Sequence, residues 1–169
     1  VPGLGCADFV LCRKDGHYRD GRHPDSVEAG TLHDDLARRD FTMNAMAKDE
    51  DGNLVDPFGG VSSIETGIIR CVGNAMTRMK EDQLRLLRAI RFSITKKMGI
   101  EKDIRRCLKS LTLINELKNS VSVERVREEL NKAFMFDTLR TLNVLEEYSL
   151  LRDAVFGTGG IRLQPTLKK

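Results

Sequence analysis

No apolar run in this chain approaches the roughly 20 residues that a membrane-spanning helix needs, so no membrane partner is expected. Val1 does not open a signal peptide, and the missing initiator methionine suggests a processed chain or a piece of a longer one. Cysteine is sparse. Cys6, Cys12, Cys71 and Cys107 are scattered without a Cys-x-x-Cys, and His17, His23 and His33 form no pair at metal-site spacing. Reduced, structural cysteines and a cytoplasmic setting are therefore expected. Gly3-x-Gly5 lacks the third glycine of a dinucleotide loop, and Ser, His and Asp show no pattern for a nucleophilic triad. Asp8 has no second carboxylate at Asp-x-Asp spacing, which a two-metal site would need. What is present is the composition of a soluble globular protein, with 169 residues, 40% apolar and 31% charged, enough for one domain or two small ones. A net charge of +3 permits a nucleic-acid partner without arguing for one.

Two compositions meet near residue 60. The first part is rich in Gly and Asp and holds three of the four prolines. Residues 7–13 alternate like a strand, and residues 14–30 carry turn signals and read as loop. Thr31, with Asp34 three residues on, predicts a capped helix through Arg38. Residues 43–48 and 53–56 predict a hairpin around Asp51-Gly52, and Asp56-Pro57-Phe58-Gly59-Gly60 then breaks the chain at a flexible joint. Beyond Val61 the pattern turns helical. A short helix ends at Gly67, a brief strand covers 68–72, and Asn74 caps a long helix that runs to about Lys97 and stops at Gly99. Three further apolar stripes follow: Ile104, Cys107, Leu108 and Leu111; Val123, Val126, Leu130 and Phe134 behind a Ser122 cap; Leu139, Leu142 and Leu145. All are expected to be core. Residues 157–169 form a Gly-rich, then basic, tail.

Two charged clusters stand out. In residues 80–92, Arg85, Arg88 and Arg91 recur at steps of three after Glu81 and Asp82. On a helix they form an arc opposite Met79, Leu86, Leu87, Ile90 and Ile94. The plain reading is a solvated face with i,i+3 ion pairs. The sharper one is a recognition face, since guanidinium forks suit phosphates and base edges, and a carboxylate accepts from amino groups. The second cluster is Arg38-Arg39-Asp40-Phe41-Thr42-Met43-Asn44-Ala45. Arg39 there can face a triphosphate and Asp40 or Asn44 a sugar hydroxyl; equally, Asp40 can cap the junction and Arg38 be solvated. Arg13, Lys14, Arg19 and Arg22, around Tyr18, are solvated loop residues or contacts for an RNA backbone.

Four motifs in order carry a resemblance: Arg38 to Ala45, Asp56 to Gly60, Ile69-Arg70-x-Val72-Gly73, and Glu81-Asp82-x-x-Arg85-x-x-Arg88-Ala89-x-Arg91-Phe92. Asp8-Phe9-Val10 through Tyr18, Arg22-x-Pro24 and Ser122-Val123-Glu124-Arg125 match as well. Together they resemble the bacterial-type tRNA nucleotidyltransferase (CCA-adding enzyme) and poly(A) polymerase family, over residues 6–135.

The resemblance implies an α+β fold. Residues 1–60 would be the remainder of a nucleotidyltransferase head sheet, 61–119 a helical neck with a nucleotide-template helix, 120–156 the start of a helical body, and 157–169 a tail. It implies template-independent addition of nucleotides from CTP and ATP to the 3′ end of tRNA, aided by Mg²⁺. Asp82 and Arg85 would pair with the incoming base, and Glu81 would orient Arg85. Arg88, Arg91 and Arg39 would lie toward the nucleotide and its phosphates. Asp40 and Asn44 would read ribose, and residues 56–60 would be a hinge. The branch looks more like CCA addition than poly(A) addition. The family's Gly-Gly turn and its Asp-x-Asp strand, which bind the metal, lie upstream of Asp8, which sits where a third carboxylate is often found. The expectation is a fragment, or a chain coded apart from its catalytic half, inactive alone. The alternatives are a poly(A) polymerase and a non-catalytic nucleotide- or RNA-binding module.

Overall fold

The computed structural model describes residues 11–16 and 25–157. The fold is α+β, with three small two-stranded sheets among the described residues and a dominant helical part. Strand β1 (Arg13–Asp15) pairs antiparallel with β2 (Val27–Ala29), with Lys14 opposite Glu28. The sequence had placed the strand earlier and left 27–29 as loop. Leu11 and Cys12 are not in a strand, and residues 7–10 lie outside the described residues.

Helix α1 (Leu32–Ala37) begins as expected: the Thr31 hydroxyl accepts from the Asp34 N–H while Asp34 accepts from the Thr31 N–H. The Thr31 hydroxyl also donates to Asp34 Oδ2 at 2.7 Å, and that bond together with the one from the Thr31 N–H holds the Asp34 carboxyl below its ordinary pKa. A single 3-10 turn (Thr42–Asn44) follows, then the hairpin β3 (Ala47–Lys48) and β4 (Leu54–Val55).

The stretch Asp56 to Gly60 is tied down. The Asp56 carboxylate accepts from the N–H groups of Gly60 (2.6 Å) and Val61 (2.9 Å), capping α2 (Gly60–Thr66). Those bonds hold its carboxyl below the ordinary range. Gly59 has φ +72°, and a Cβ on Gly60 would stand 2.4 Å from the Thr42 carbonyl. The Thr42 and Ser63 hydroxyls then join the 3-10 turn to α2 at 2.7 Å.

Strand β5 (Ile68–Ile69) pairs in parallel with β6 (Gly99–Ile100), and Phe41 bridges Cys71. Between the two strands lies the main correction. The expected continuous helix is two: α3 (Ala75–Glu81), capped by Asn74, and α4 (Leu84–Thr95). Asp82 is extended (φ −151°, ψ 105°), and its Oδ1 accepts from the Leu84 N–H at 3.0 Å. A short carboxylate that offers the backbone a competing acceptor ends one helix and starts the next. Periodicity could not show this, because the apolar stripe continues across the break.

Helix α4 lies at the centre. It packs against α7 (Val123–Phe136), α8 (Thr138–Glu147), α3 and α5 (Lys102–Cys107). None of residues 83–95 is exposed, so the solvated-face reading of the arginine ladder does not hold. Helices α6 (Leu111–Ser120) and α9 (Ser149–Phe156) complete the helical part. One core runs from Phe41 through Leu87, Ile104 and Leu113 to Leu151; a smaller one joins Leu36, Ala45 and Val72. Leu111, Val123 and Leu139, expected inside, are exposed. Each sits in the first turn of its helix, past the packed surface. Cys12, Cys71 and Cys107 are free thiols, and burial pushes the Cys71 thiol up to about 12.

Candidate functional site

One wall of an open cleft comes from α1 and the turn after it. Asp35 is buried, and its Oδ1 accepts from Nε (3.0 Å) and NH2 (2.5 Å) of Arg38 while Oδ2 accepts from Arg39 NH2 (3.0 Å). Burial opposes charge on Asp35, but the hydrogen bonds from Arg38 and Arg39 outweigh it and hold the carboxyl below its ordinary range. One carboxylate thus holds two consecutive guanidiniums, and the Arg39 side chain keeps 45% of its surface exposed. Asp40 is also buried. Its Oδ1 accepts from the Phe41 N–H (2.8 Å) and Asn44 Nδ2 (3.1 Å), capping the 3-10 turn, and its Oδ2 accepts from Arg88 Nε (2.7 Å).

The other wall is the α3–α4 break with α7 behind it. Asp82 Oδ2 accepts from Arg125 NH2 at 2.7 Å, so this carboxylate joins the helix start to α7. Arg85 is 8% exposed, which corrects the expectation that its side chain stands away from the packed face. Its NH1 donates to the Arg78 carbonyl and Glu81 Oε2, both at 2.8 Å, and its NH2 to the Arg38 carbonyl at 3.2 Å. Arg91 donates to buried Glu129 on α7, and its guanidinium lies 3.9 Å from the centre of the Phe92 ring. Arg88 also approaches Glu129, at 3.5 Å.

The cleft between these walls has a volume of about 780 Å³. Of the residues singled out in the sequence, Arg39, Asp40, Asn44, Asp82, Arg85 and Arg88 line it. Glu81 and Arg91 do not: Glu81 sits behind Arg85, and Arg91 is turned to Glu129. Asp8 lies outside the described residues. Arg13 pairs with Asp15 in β1 at 3.0 Å. Asp35, Arg38 and Arg125 line the cleft and had not been chosen. Arg125 was visible in the Ser122-Val123-Glu124-Arg125 match. Asp35 stands in the first turn of a helix, where a carboxylate has a local reason to be, and only packing shows it as the holder of two arginines. Five guanidiniums against three carboxylates give the lining a positive excess, with Leu32, Leu84 and Phe92 as apolar surface for a flat group.

Residues 6–70 match the Poly A polymerase head domain family. The CCA-adding enzyme of Geobacillus thermodenitrificans is 45% identical over 126 residues, which is 74% of this chain and 30% of that protein. Among solved structures, the Bacillus stearothermophilus CCA-adding enzyme in complex with CTP superposes with a TM-score of 0.74 at 36% identity, over 89% of this chain and 35% of that one. A tRNA nucleotidyltransferase complexed with a primer tRNA and an incoming ATP analog gives 0.67 at 30% identity, over 78% and 39%. The chain is homologous to a segment of the CCA-adding enzymes. It spans about a third of the length of these relatives.

A divalent metal fits poorly among the described residues. None of their His, Cys, Asp and Glu side chains form a group of three or more that could hold one. The three cleft carboxylates, Asp35, Asp40 and Asp82, each have both oxygens in hydrogen bonds to the chain itself. No helix among the described residues is long and apolar enough to cross a membrane.

Proposed function

We propose that this chain supplies nucleotide recognition for template-independent addition of CTP- and ATP-derived nucleotides to the 3′ end of tRNA. One observation carries the reading: Arg39, Asp40, Asn44, Asp82, Arg85 and Arg88 meet in a cleft with a positive excess, Asp82 at one wall and Arg39 at the other. Cytosine and adenine both present an exocyclic amino donor where guanine and uracil present a carbonyl acceptor. A carboxylate therefore favours the first pair. Asp82 takes that role, its oxygens oriented by Leu84 N–H and Arg125. Arg85 has two N–H donors beyond the three it has spent, for a ring nitrogen or carbonyl of the base. Glu81 holds Arg85 in place, and Arg39, the most open of the pair on Asp35, faces phosphate. Asp40 and Asn44 fix the turn beside the sugar. In this reading 1–60 belong to a head, 61–119 to a neck and 120–156 to a body, with Asp56 to Gly60 as the joint between the first two. Mg²⁺ is held by carboxylates other than those described.

A nitrogen–proton correlation spectrum of the chain titrated with CTP tests the location. The amides of 38–44 and 82–88 should shift together and saturably. Shifts confined to other segments, or none at millimolar CTP, would count against the cleft.

A further inference from the structure

We infer that Glu129, on α7 and outside the cleft lining, is a positioning residue that keeps Arg88 away from phosphate and commits it to base and sugar selection. The inference rests on the nucleotide-recognition reading of the cleft. Glu129 is 4% exposed. It takes two arginines of α4: Arg91 on one oxygen, and Arg88 NH1 at 3.5 Å from the other. Arg88 turns its opposite edge to Asp40, with Nε at 2.7 Å and NH2 at 2.6 Å from Oδ2. Asp40 in turn holds the Phe41 N–H and the Asn44 amide. A chain of ion pairs and hydrogen bonds therefore runs from α7 through Arg88 of α4 to the 3-10 turn at the cleft wall.

Charge shows what this chain does. Two carboxylates, Asp40 and Glu129, offset two guanidiniums, Arg88 and Arg91, so the group is neutral. Arg88 lines the cleft, yet both of its edges face carboxylates. It is a cation at the site with little charge left for a triphosphate. Neutralising Glu129 leaves one net positive charge beside the cleft and frees the NH1 side of Arg88. Phosphate binding then gains a cation while the Asp40–Asn44 turn loses its support, so affinity and selectivity separate. A residue that served only to hold the fold would lower both together.

The test is calorimetric titration of the full chain and of Glu129→Gln with CTP, GTP and inorganic tripolyphosphate. The glutamine keeps the size and an acceptor for Arg91. The expected result is tripolyphosphate bound roughly three- to tenfold tighter by the variant and the CTP-over-GTP preference reduced by a similar factor. In a Glu129→Gln, Arg88→Gln double variant the gain in tripolyphosphate affinity should vanish, since the effect runs through Arg88. Should the glutamine variant fail to fold, Glu129→Asp, which keeps the charge, should lose preference at unchanged tripolyphosphate affinity. Parallel loss of both affinities in step with Tm, or a variant identical to the parent, overturns the inference while leaving the cleft's role intact. A parent that binds neither nucleotide nor tripolyphosphate removes the reading beneath it, and the inference falls with it.

Discussion

At the residue scale, Arg85 and Arg39 are both motif arginines, but only one is free to give way. Arg85 is buried on two backbone carbonyls and Glu81, so Arg85→Ala takes the donor from two carbonyls and leaves Glu81 with Arg78 alone. We expect a loss of about 3 kcal/mol by thermal or urea unfolding, more than the sequence alone suggested. Arg39→Ala removes the exposed arginine of one pair and leaves Asp35 held by Arg38, so it should change stability by less than about 1 kcal/mol while weakening CTP binding. Asp35 carries a pH signature. Its folded pKa is depressed, so its contribution is present above the unfolded value near 3.9 and is lost as pH falls through the lower folded one. Acid unfolding of the parent should steepen below about pH 4, and Asp35→Asn should remove part of that dependence. An unchanged acid limb would contradict the hub role. Sequence reading found the arginines because their spacing is regular. It missed Asp35 because a carboxylate in a first helical turn already has a local reason to be there.

At the scale of elements, caps and core stripes were legible and the helix break was not. Thr31, Asn74 and the Leu87 stripe stand where local signals put them, and Leu87 is 1% exposed. Leu87→Ala should therefore cost about 2–5 kcal/mol, and an unchanged melting temperature would contradict its place in the core. The α3–α4 break depends on one side chain, Asp82, chosen by a tertiary partner, Arg125, 43 residues away. No window of sequence contains both. The joint at Asp56 to Gly60 illustrates the same limit. Glycine pairs signal freedom, but here the second glycine is required because the Thr42 carbonyl presses on it. Gly60→Ala should destabilise by about 1–3 kcal/mol and loosen α2 from the 3-10 turn, seen as faster amide exchange at Ser63. A stabilised variant would mean the contact yields easily.

For the whole molecule, the order of a mixed part followed by helices was readable from the change in pattern near residue 60, and the α+β class was implied by the family resemblance. The larger core, from Phe41 to Leu151, was not, because it joins segments more than a hundred residues apart. That core is what brings Asp40, Asp82 and Arg125 to one cleft. The central claim is that this cleft, as it stands in the chain, selects nucleotides by base. The most direct measurement is equilibrium titration of the chain with CTP, ATP, GTP and UTP under one salt condition. The account predicts CTP and ATP bound measurably tighter than GTP and UTP, with the difference lost in Asp82→Ala. Four equal affinities, or a preference that survives Asp82→Ala, would contradict it.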